Sequence, residues 1–399
     1  MLRICAALVI IAVLGIMPAN KVMAVTSSGA IAKGIDVSMH NGAVNWGQVA
    51  GTEITFTFIK VGSTKSGIDP QFAANITGAQ AAGLKTGVYL YSYATTPEQA
   101  ANEANLVLQW IEPYTVNYPI VFDIEDKCHK NLSEQQLIDI INAFCTTIDA
   151  AGYYPMVYSN KNMFVQKLSI TGWDKWVAQY NDSCEYNNNV CFWQYSSHGS
   201  VNGVGGRVDV NYQYKDYSNL IIPEGFIEHN GNVRFYRNWK MQKGWTAYND
   251  TKYYLDGAGN LVRGWFTDAS GTYYLSPADG SIARGQCRID GADHYFTADG
   301  VKMTGWVLLN DLKYFYDPAT GAMVTGWFAA ADKTYYADAA GHIVTGIYEI
   351  DKQPYYFDET GALVRNQDLE LNGIAYHTTP EGVLTEVEAA MAGEGEPAA

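Results

Sequence analysis

Two carboxylates with one residue between them close the run YPIVFDIE, Tyr118 to Glu125. Alternate residues of a strand face the same way, roughly 6 to 7 Å apart, so Asp123 and Glu125 at a strand end can address one ligand together. A pair of acids can break a glycosidic bond. One stays protonated and gives its proton to the leaving oxygen, while an anionic group meets the positive charge growing at the anomeric carbon. An isolated Asp-x-Glu more often pairs with a lysine or caps a helix. The reading changes because further strand-like runs also carry acids: Asp36 in KGIDVSMHNG and Asp209 in GRVDVNY. Acids from distant strands gather at one mouth in a barrel.

In a half-buried mouth a neighbouring carboxylate raises the pKa of an acid, so Glu125 can keep a proton while Asp123 and Asp209 stay charged. The stabilising anion is either a carboxylate or the substrate's own acetamido oxygen, and the residues leave both routes open. Neither a metal nor a cofactor is needed. His40 is expected to hydrogen-bond its own loop rather than act as a second acid or base. Of the aromatics near strand ends, Tyr91 and Trp193 lead as sugar-stacking residues, with Tyr158 and Tyr195 assigned beside them.

The elements that must position these groups are legible from Ile31 to Ile222. Strand-like runs cover 34–37, 55–61, 86–91, 120–125, 154–159, 176–179, 192–195 and 208–210. Helical patterns lie over 70–82, stopped by Gly83, over 97–111 with Pro at the first turn, and over 131–151, with Ser133 and Gln136 as a capping box. The expectation is an α/β fold, a modified TIM-like β/α barrel. Its late helices are reduced, and the loss leaves a groove open on one side.

These runs carry a resemblance. GIDVSMHNG, FIKVGSTKSGIDPQFAANITGAQAAGLKTGVYLYSYA, YPIVFDIED, WVAQY, FWQYSS and GRVDVNY resemble glycoside hydrolase family 25 lysozymes in content and order. The resemblance implies N-acetylmuramidase activity on bacterial peptidoglycan, with retention of configuration and assistance from the substrate. Glu125 corresponds to the proton donor, Asp123 to its strand neighbour, Asp36 to the acid of the first strand and Asp209 to that of the last. Two other readings compete. A chitinase-like glycosidase would need a further acid where Val121 stands, and a non-catalytic wall adhesin would not need all four acids.

The chain has 399 residues, enough for more than one domain. Residues 1–24 combine Arg3, an apolar stretch and a small-residue end at Ala24, the pattern of a cleaved secretory signal. No later segment is apolar enough to span a membrane, so a secreted, wall-associated protein is expected. The formal charge of −15 disfavours nucleic acid. In an oxidising compartment Cys184 could pair with Cys191 and Cys128 with Cys145, leaving Cys287 over.

Beyond the barrel, glycines at 244, 264, 285, 305, 326 and 346 recur every 20 or 21 residues. Most are followed by tryptophan, at Trp245, Trp265, Trp306 and Trp327, and then by an aromatic pair such as Tyr253–Tyr254, Tyr273–Tyr274 or Tyr335–Tyr336. Each unit is expected to be a hairpin with a Gly-rich turn such as DGAGN, stacked into an all-β solenoid over 226–378. Phe226 to Lys243 stands as an irregular first unit or cap. The units resemble choline- and glucan-binding cell-wall repeats, which implies Trp245, Tyr254, Trp265, Tyr274, Trp306, Trp327 and Tyr336 as ligand-binding residues. In the choline type a tryptophan precedes the tyrosine pair. Here that position holds Lys252, Thr272, Asp293, Lys313, Thr334 and Pro354, so a wall polysaccharide is favoured over a choline-bearing polymer. Residues 380–399 read as an acidic, disordered tail.

Overall fold

The computed structural model describes residues 24–387. The expected signal, apart from Ala24, and the tail beyond Val387 lie outside the described residues. The chain divides into two compact units. The first runs through Lys243 and takes in Gly257–Asn260, and the second holds Gly244–Asp256 and the remainder from Leu261.

The first unit is built on nine strands: β1 Ala32–Val37, β2 Ile54–Ser63, β3 Gly67–Ile68, β4 Lys85–Tyr91, β5 Ile120–Asp123, β6 Pro155–Asn160, β7 Asp174–Ala178, β8 Val190–Gly199 and β9 Val208–Gln213. All eight expected strands are present. They pair in the ring β1-β2-β4-β5-β6-β7-β8-β9, and β1 closes it by pairing with both β2 and β9. The pairs from β1 through β8 are parallel, but β9 runs antiparallel to both neighbours. A parallel return needs a crossover of about a dozen residues or more. The glycine-rich segment 200–207 is too short for one, so the chain turns straight back.

Aromatic rings fill the ring of strands. Phe58 stacks on Trp176 at 4.6 Å, and Phe56 and Phe58 meet Phe192 edge-on at 5.1 and 5.0 Å. Gly34 and Gly87 make room for them, since a Cβ there would sit 2.3 Å from the Phe56 ring and 2.5 Å from that of Phe58. Outside lie α1 Trp46–Ala50, α2 Phe72–Ala81, α3 Pro97–Ile111, α4 Glu134–Ala150 and α5 Lys161–Gln166. Thr96 caps α3 through the Gln99 amide, and Ser133 and Gln136 form the expected capping box on α4. Phe144 of α4 stacks on Phe122 of β5 at 4.3 Å, pinning the strand that carries the acid pair.

A three-stranded sheet, β10 Glu224–His229, β11 Asn232–Arg237 and β12 Lys240–Met241, completes this unit. Arg234 donates to the Asp149 carbonyl at 3.1 Å, and His229 lies 2.8 Å from the Asp149 carboxylate at the C-terminus of α4, where cations complement the helix dipole. Lys240 donates to the Glu112 carbonyl just past α3 at 2.8 Å. These ties make the segment expected as a first repeat part of the barrel unit instead.

In the second unit each expected glycine opens a hairpin. Gly244–Tyr248 pairs with Thr251–Leu255, Gly305–Leu309 with Leu312–Tyr316, and Gly326–Ala330 with Lys333–Ala337. These glycines hold φ between +69° and +80°, where a Cβ would be strained. The hairpin turns differ from the expected Gly-rich ones. Apart from Ala269–Ser270, they are two-residue turns with φ positive at both positions, such as Asn249–Asp250 and Asn310–Asp311, the primed geometry that suits the strand twist. DGAGN-type stretches instead link one hairpin to the next. There the amides of Ile282, Lys302, Met323, Ile343 and Leu363 donate to the carbonyls of Lys252, Thr272, Asp293, Lys313 and Thr334, so each unit is tied by the same bond to an earlier one. The last sheet uses Asp368–Leu371, Ile374–Thr378 and Leu384–Glu386, which places part of the expected disordered tail in a strand.

The expected disulfides are absent. All five described cysteines are free. Cys184 is buried in the layer outside the strands and Cys191 in the aromatic interior, so the ring wall separates them.

Candidate active site

Asp36, Asp123, Glu125 and Asp209 line one open cavity of about 440 Å³. It lies at the C-terminal ends of the parallel strands, where Asp36 nearly ends β1 and Asp123 ends β5. Asp209 reaches the same end from the start of β9, because that strand runs the other way, and it stands directly opposite Asp36 in the ladder. Glu125 lies just past β5. The Ile124 amide still bonds the Tyr158 carbonyl at 3.0 Å, and the backbone then leaves the ladder.

The acids are held unequally. One oxygen of Asp36 accepts from the Gln194 amide at 2.9 Å and from the Asn211 amide at 2.8 Å. Both amides are locked in turn: Tyr158 and Tyr180 donate to the Gln194 oxygen at 3.0 Å each, and the Trp176 indole to the Asn211 oxygen at 2.8 Å. Asp123 is buried, and its Oδ1 has no hydrogen-bond partner among the described residues. Just past β4, buried Glu103 on α3 ties the loops after β2 and β4 together, accepting from Ser92 Oγ at 2.6 Å, the Tyr93 amide at 3.0 Å and Thr64 Oγ1 at 2.9 Å.

Burial pushes all four carboxyl groups up. Asp36 rises well above the ordinary carboxylate range, by burial first and then by the charge of Asp209. Asp209 also rises, by burial, though less than Asp36, which stands opposite it in the ladder. Asp123 is raised by burial and by the charge of Glu125, against the pull of Lys60. Glu125 is raised by burial and then by the charges of Asp209 and Asp126. The site can therefore keep a proton on a carboxyl group above the usual range and present anionic oxygens beside it.

Of the four expected sugar-stacking residues, Tyr91 and Tyr158 line this cavity. Burial and the charge of Asp123 raise the Tyr91 phenol, which donates to Asp126 at 3.3 Å. Trp193 and Tyr195 lie elsewhere, which corrects that expectation. Trp193 is buried in the layer outside the strands with its indole on the Gln179 carbonyl at 2.7 Å, and Tyr195 stacks on Tyr212 at 4.3 Å beside a separate cavity. Strand alternation explains this: Phe192 and Gln194 point inward, so Trp193 points out. Gln194, Asn211, Tyr180, Lys60 and Arg207 also line or brace the site and were missed. The signal for Gln194 and Asn211 was a polar residue at an inward position of an otherwise apolar strand. His40 sits at the rim with its amide on Ser38 Oγ at 3.3 Å.

The repeat aromatics converge as pairs. Trp245 meets Tyr254 at 5.2 Å, Trp265 meets Tyr274 at 5.0 Å, Trp306 meets Phe315 at 4.9 Å and Trp327 meets Tyr336 at 5.1 Å, each across its hairpin. All four reach the next hairpin as well, Trp245 to Tyr273 at 4.7 Å, Trp265 to His294 at 5.2 Å, Trp306 to Tyr335 at 4.8 Å and Trp327 to Tyr355 at 5.1 Å. Trp265, Trp306 and Trp327 remain 41, 36 and 41% exposed. Among the described residues no helix is long and apolar enough to cross a membrane.

Residues 35–204 match the family Glycosyl hydrolases family 25, and residues 283–328 match the Choline-binding repeat. The uncharacterized protein YegX of Escherichia coli O157:H7 is 30% identical over 189 residues, covering 45% of this chain and 68% of its own length. Lysozyme M1 of Streptomyces globisporus is 29% identical over 197 residues, 45% of this chain and 66% of that protein. Among solved structures, CbpJ from Streptococcus pneumoniae shares 27% identity at a TM-score of 0.37, covering 39% of this chain and 56% of that one. The chain thus spans little more than half of CbpJ.

Proposed function

The chain belongs to glycosyl hydrolases family 25, and on that premise we propose that it is a secreted N-acetylmuramidase, held at the bacterial wall by its repeats. The bond cut is the β-1,4 link from N-acetylmuramic acid to N-acetylglucosamine. The observation that carries this reading is the convergence of Asp36, Asp123, Glu125 and Asp209 on one cavity.

Glu125 is the general acid. Burial raises its pKa and so favours the protonated form, and its place past the strand end lets it reach a glycosidic oxygen. As that bond breaks, the substrate's acetamido oxygen closes on the anomeric carbon, and water later opens the ring with Glu125 acting as base. Asp123 supports this route through its unpartnered Oδ1, a buried acceptor suited to an acetamido N–H. Asp36 and Asp209, opposite each other in the ladder, supply negative potential across the cavity, with Asp36 held in place by the Gln194 and Asn211 amides. The Tyr91 and Tyr158 rings give the sugar an apolar wall.

The repeats raise the local concentration of the enzyme over an insoluble substrate without entering the chemistry. The match of 283–328 supports a choline-bearing polymer as their ligand, and the lysines and threonines ahead of the aromatic pairs support a wall polysaccharide. The test is digestion of purified peptidoglycan and of chitin, with the new reducing ends identified by mass spectrometry. Reducing N-acetylmuramic acid is expected. Products from chitin alone, or binding with no product, would sink the proposal.

A further inference from the structure

The four tryptophans of the repeats differ in what lies over the indole. Trp327 is walled by rings, with Tyr336 at 5.1 Å, Tyr355 at 5.1 Å and Phe357 at 5.8 Å. Trp306 has comparable rings around it, Phe315 at 4.9 Å and Tyr335 at 4.8 Å, but the Lys313 ammonium also lies 4.2 Å from its ring centre. Lys313 pairs with Leu308, two residues along from the Trp306–Phe315 pair, so the pleat puts it on the face that carries Trp306. Its Nζ is also held by the Thr360 carbonyl at 2.8 Å. Two constraints from different hairpins therefore fix the ammonium in place.

Trp265 has the same guest from another position. Lys302 Nζ lies 5.2 Å from the indole centre and donates to the Thr320 carbonyl at 3.2 Å. Its stem is packed as well, since a Cβ on Gly321 would come within 2.9 Å of Lys302 Cδ. The residues that make the equivalent backbone bond in the other linking turns are Ile282, Met323, Ile343 and Leu363. A lysine thus stands where the pattern otherwise places an apolar side chain.

An indole face attracts a cation through its quadrupole. At Trp265 and Trp306 that attraction is already satisfied from within the chain, and a second cation would be repelled by the first. A sugar carries no charge, offers C–H bonds to the exposed part of the ring, and presents hydroxyls to the remaining ammonium N–H donors. We propose that Lys302 and Lys313 close the Trp265 and Trp306 positions to quaternary ammonium groups and commit them to neutral glycan, leaving Trp327 as a cation-compatible position. This rests on the reading of the repeats as wall-binding.

The test uses the full chain labelled with 5-fluorotryptophan, its fluorine signals assigned through single Trp→Phe variants and titrated with choline chloride. The Trp265 and Trp306 signals are expected to stay still in the unaltered protein. Lys302→Met should make Trp265 respond, and Lys313→Met should make Trp306 respond, with half-saturation at about tenfold lower choline than any response of the parent. Lys302→Arg and Lys313→Arg keep the charge and should stay silent. A parent signal at Trp265 or Trp306 that moves as readily as that of Trp327, or methionine variants as unresponsive as the parent, overturns the gate. Chitotetraose and isomaltotetraose should shift Trp265 and Trp306 in the parent, and silence with both overturns the glycan assignment. Sedimentation with purified walls is measured alongside. Loss of sedimentation refutes the tethering reading, whereas the gate is decided by the fluorine signals alone.

Discussion

The barrel turns its aromatic rings inward and its acids to one mouth, whereas the repeats leave tryptophans partly in solvent and repeat the same arrangement along the chain. Phe58, Trp176 and Phe192 touch one another inside a closed ring of strands. Trp265, Trp306 and Trp327 each sit on a separate hairpin. A closed site has no spare copy of any part, so one substitution can remove its function. A repeated surface divides its function among units, and one substitution should remove only a share.

The largest expected effect tests the undivided half of that contrast. Glu125→Gln should lower turnover of peptidoglycan by about 10²–10⁴-fold, read as new reducing ends, and leave sedimentation with walls unchanged. Undiminished turnover would remove Glu125 from the acid role. Next, Phe58→Ala empties the centre of the ring and should destabilise the barrel by about 3–5 kcal/mol. Calorimetry should show that loss in the barrel's transition and not in that of the repeats. A shift in both would show that the two units unfold as one.

A third prediction concerns pH. Burial of Asp36 raises its pKa, so the folded state binds a proton that the unfolded chain releases. That contribution is present below the ordinary carboxylate pKa and is lost as pH rises through the elevated one. Asp36→Asn should therefore raise the Tm at pH 7 by more than at pH 4 while turnover falls, a trade of stability for function. For the same reason turnover by the unaltered enzyme should fall as pH rises through the raised pKa of Glu125. The smallest effect is expected in the repeats. Trp327→Ala should weaken wall retention by a few-fold, roughly the loss of one exposed aromatic contact, and leave turnover of soluble glycan fragments alone. Complete loss of retention would show that the repeats do not share the work.

The sequence made the eight strands, the three long helices and the repeat phase legible because each rests on a local pattern: apolar runs, caps, and glycines where φ is positive. What it hid depends on relations between distant segments. The reversed direction of β9 follows from the short link before it, and Asp209 owes its place at the mouth to that reversal. Trp193 stands near a strand end in the sequence, as a sugar-stacking residue should, yet a shift of one residue along a strand exchanges inside for outside, and it is Gln194 that faces the cavity. Cys184 and Cys191 are close in sequence, but a sheet wall passes between them.

The linking turns of the second unit all make the same backbone bond to an earlier hairpin, at nearly constant spacing. A gene encoding such a chain can gain or lose a whole hairpin without disturbing the phase of those that remain. Grip on a surface then becomes a quantity that heredity adjusts by counting, while the cutting machinery is inherited unaltered.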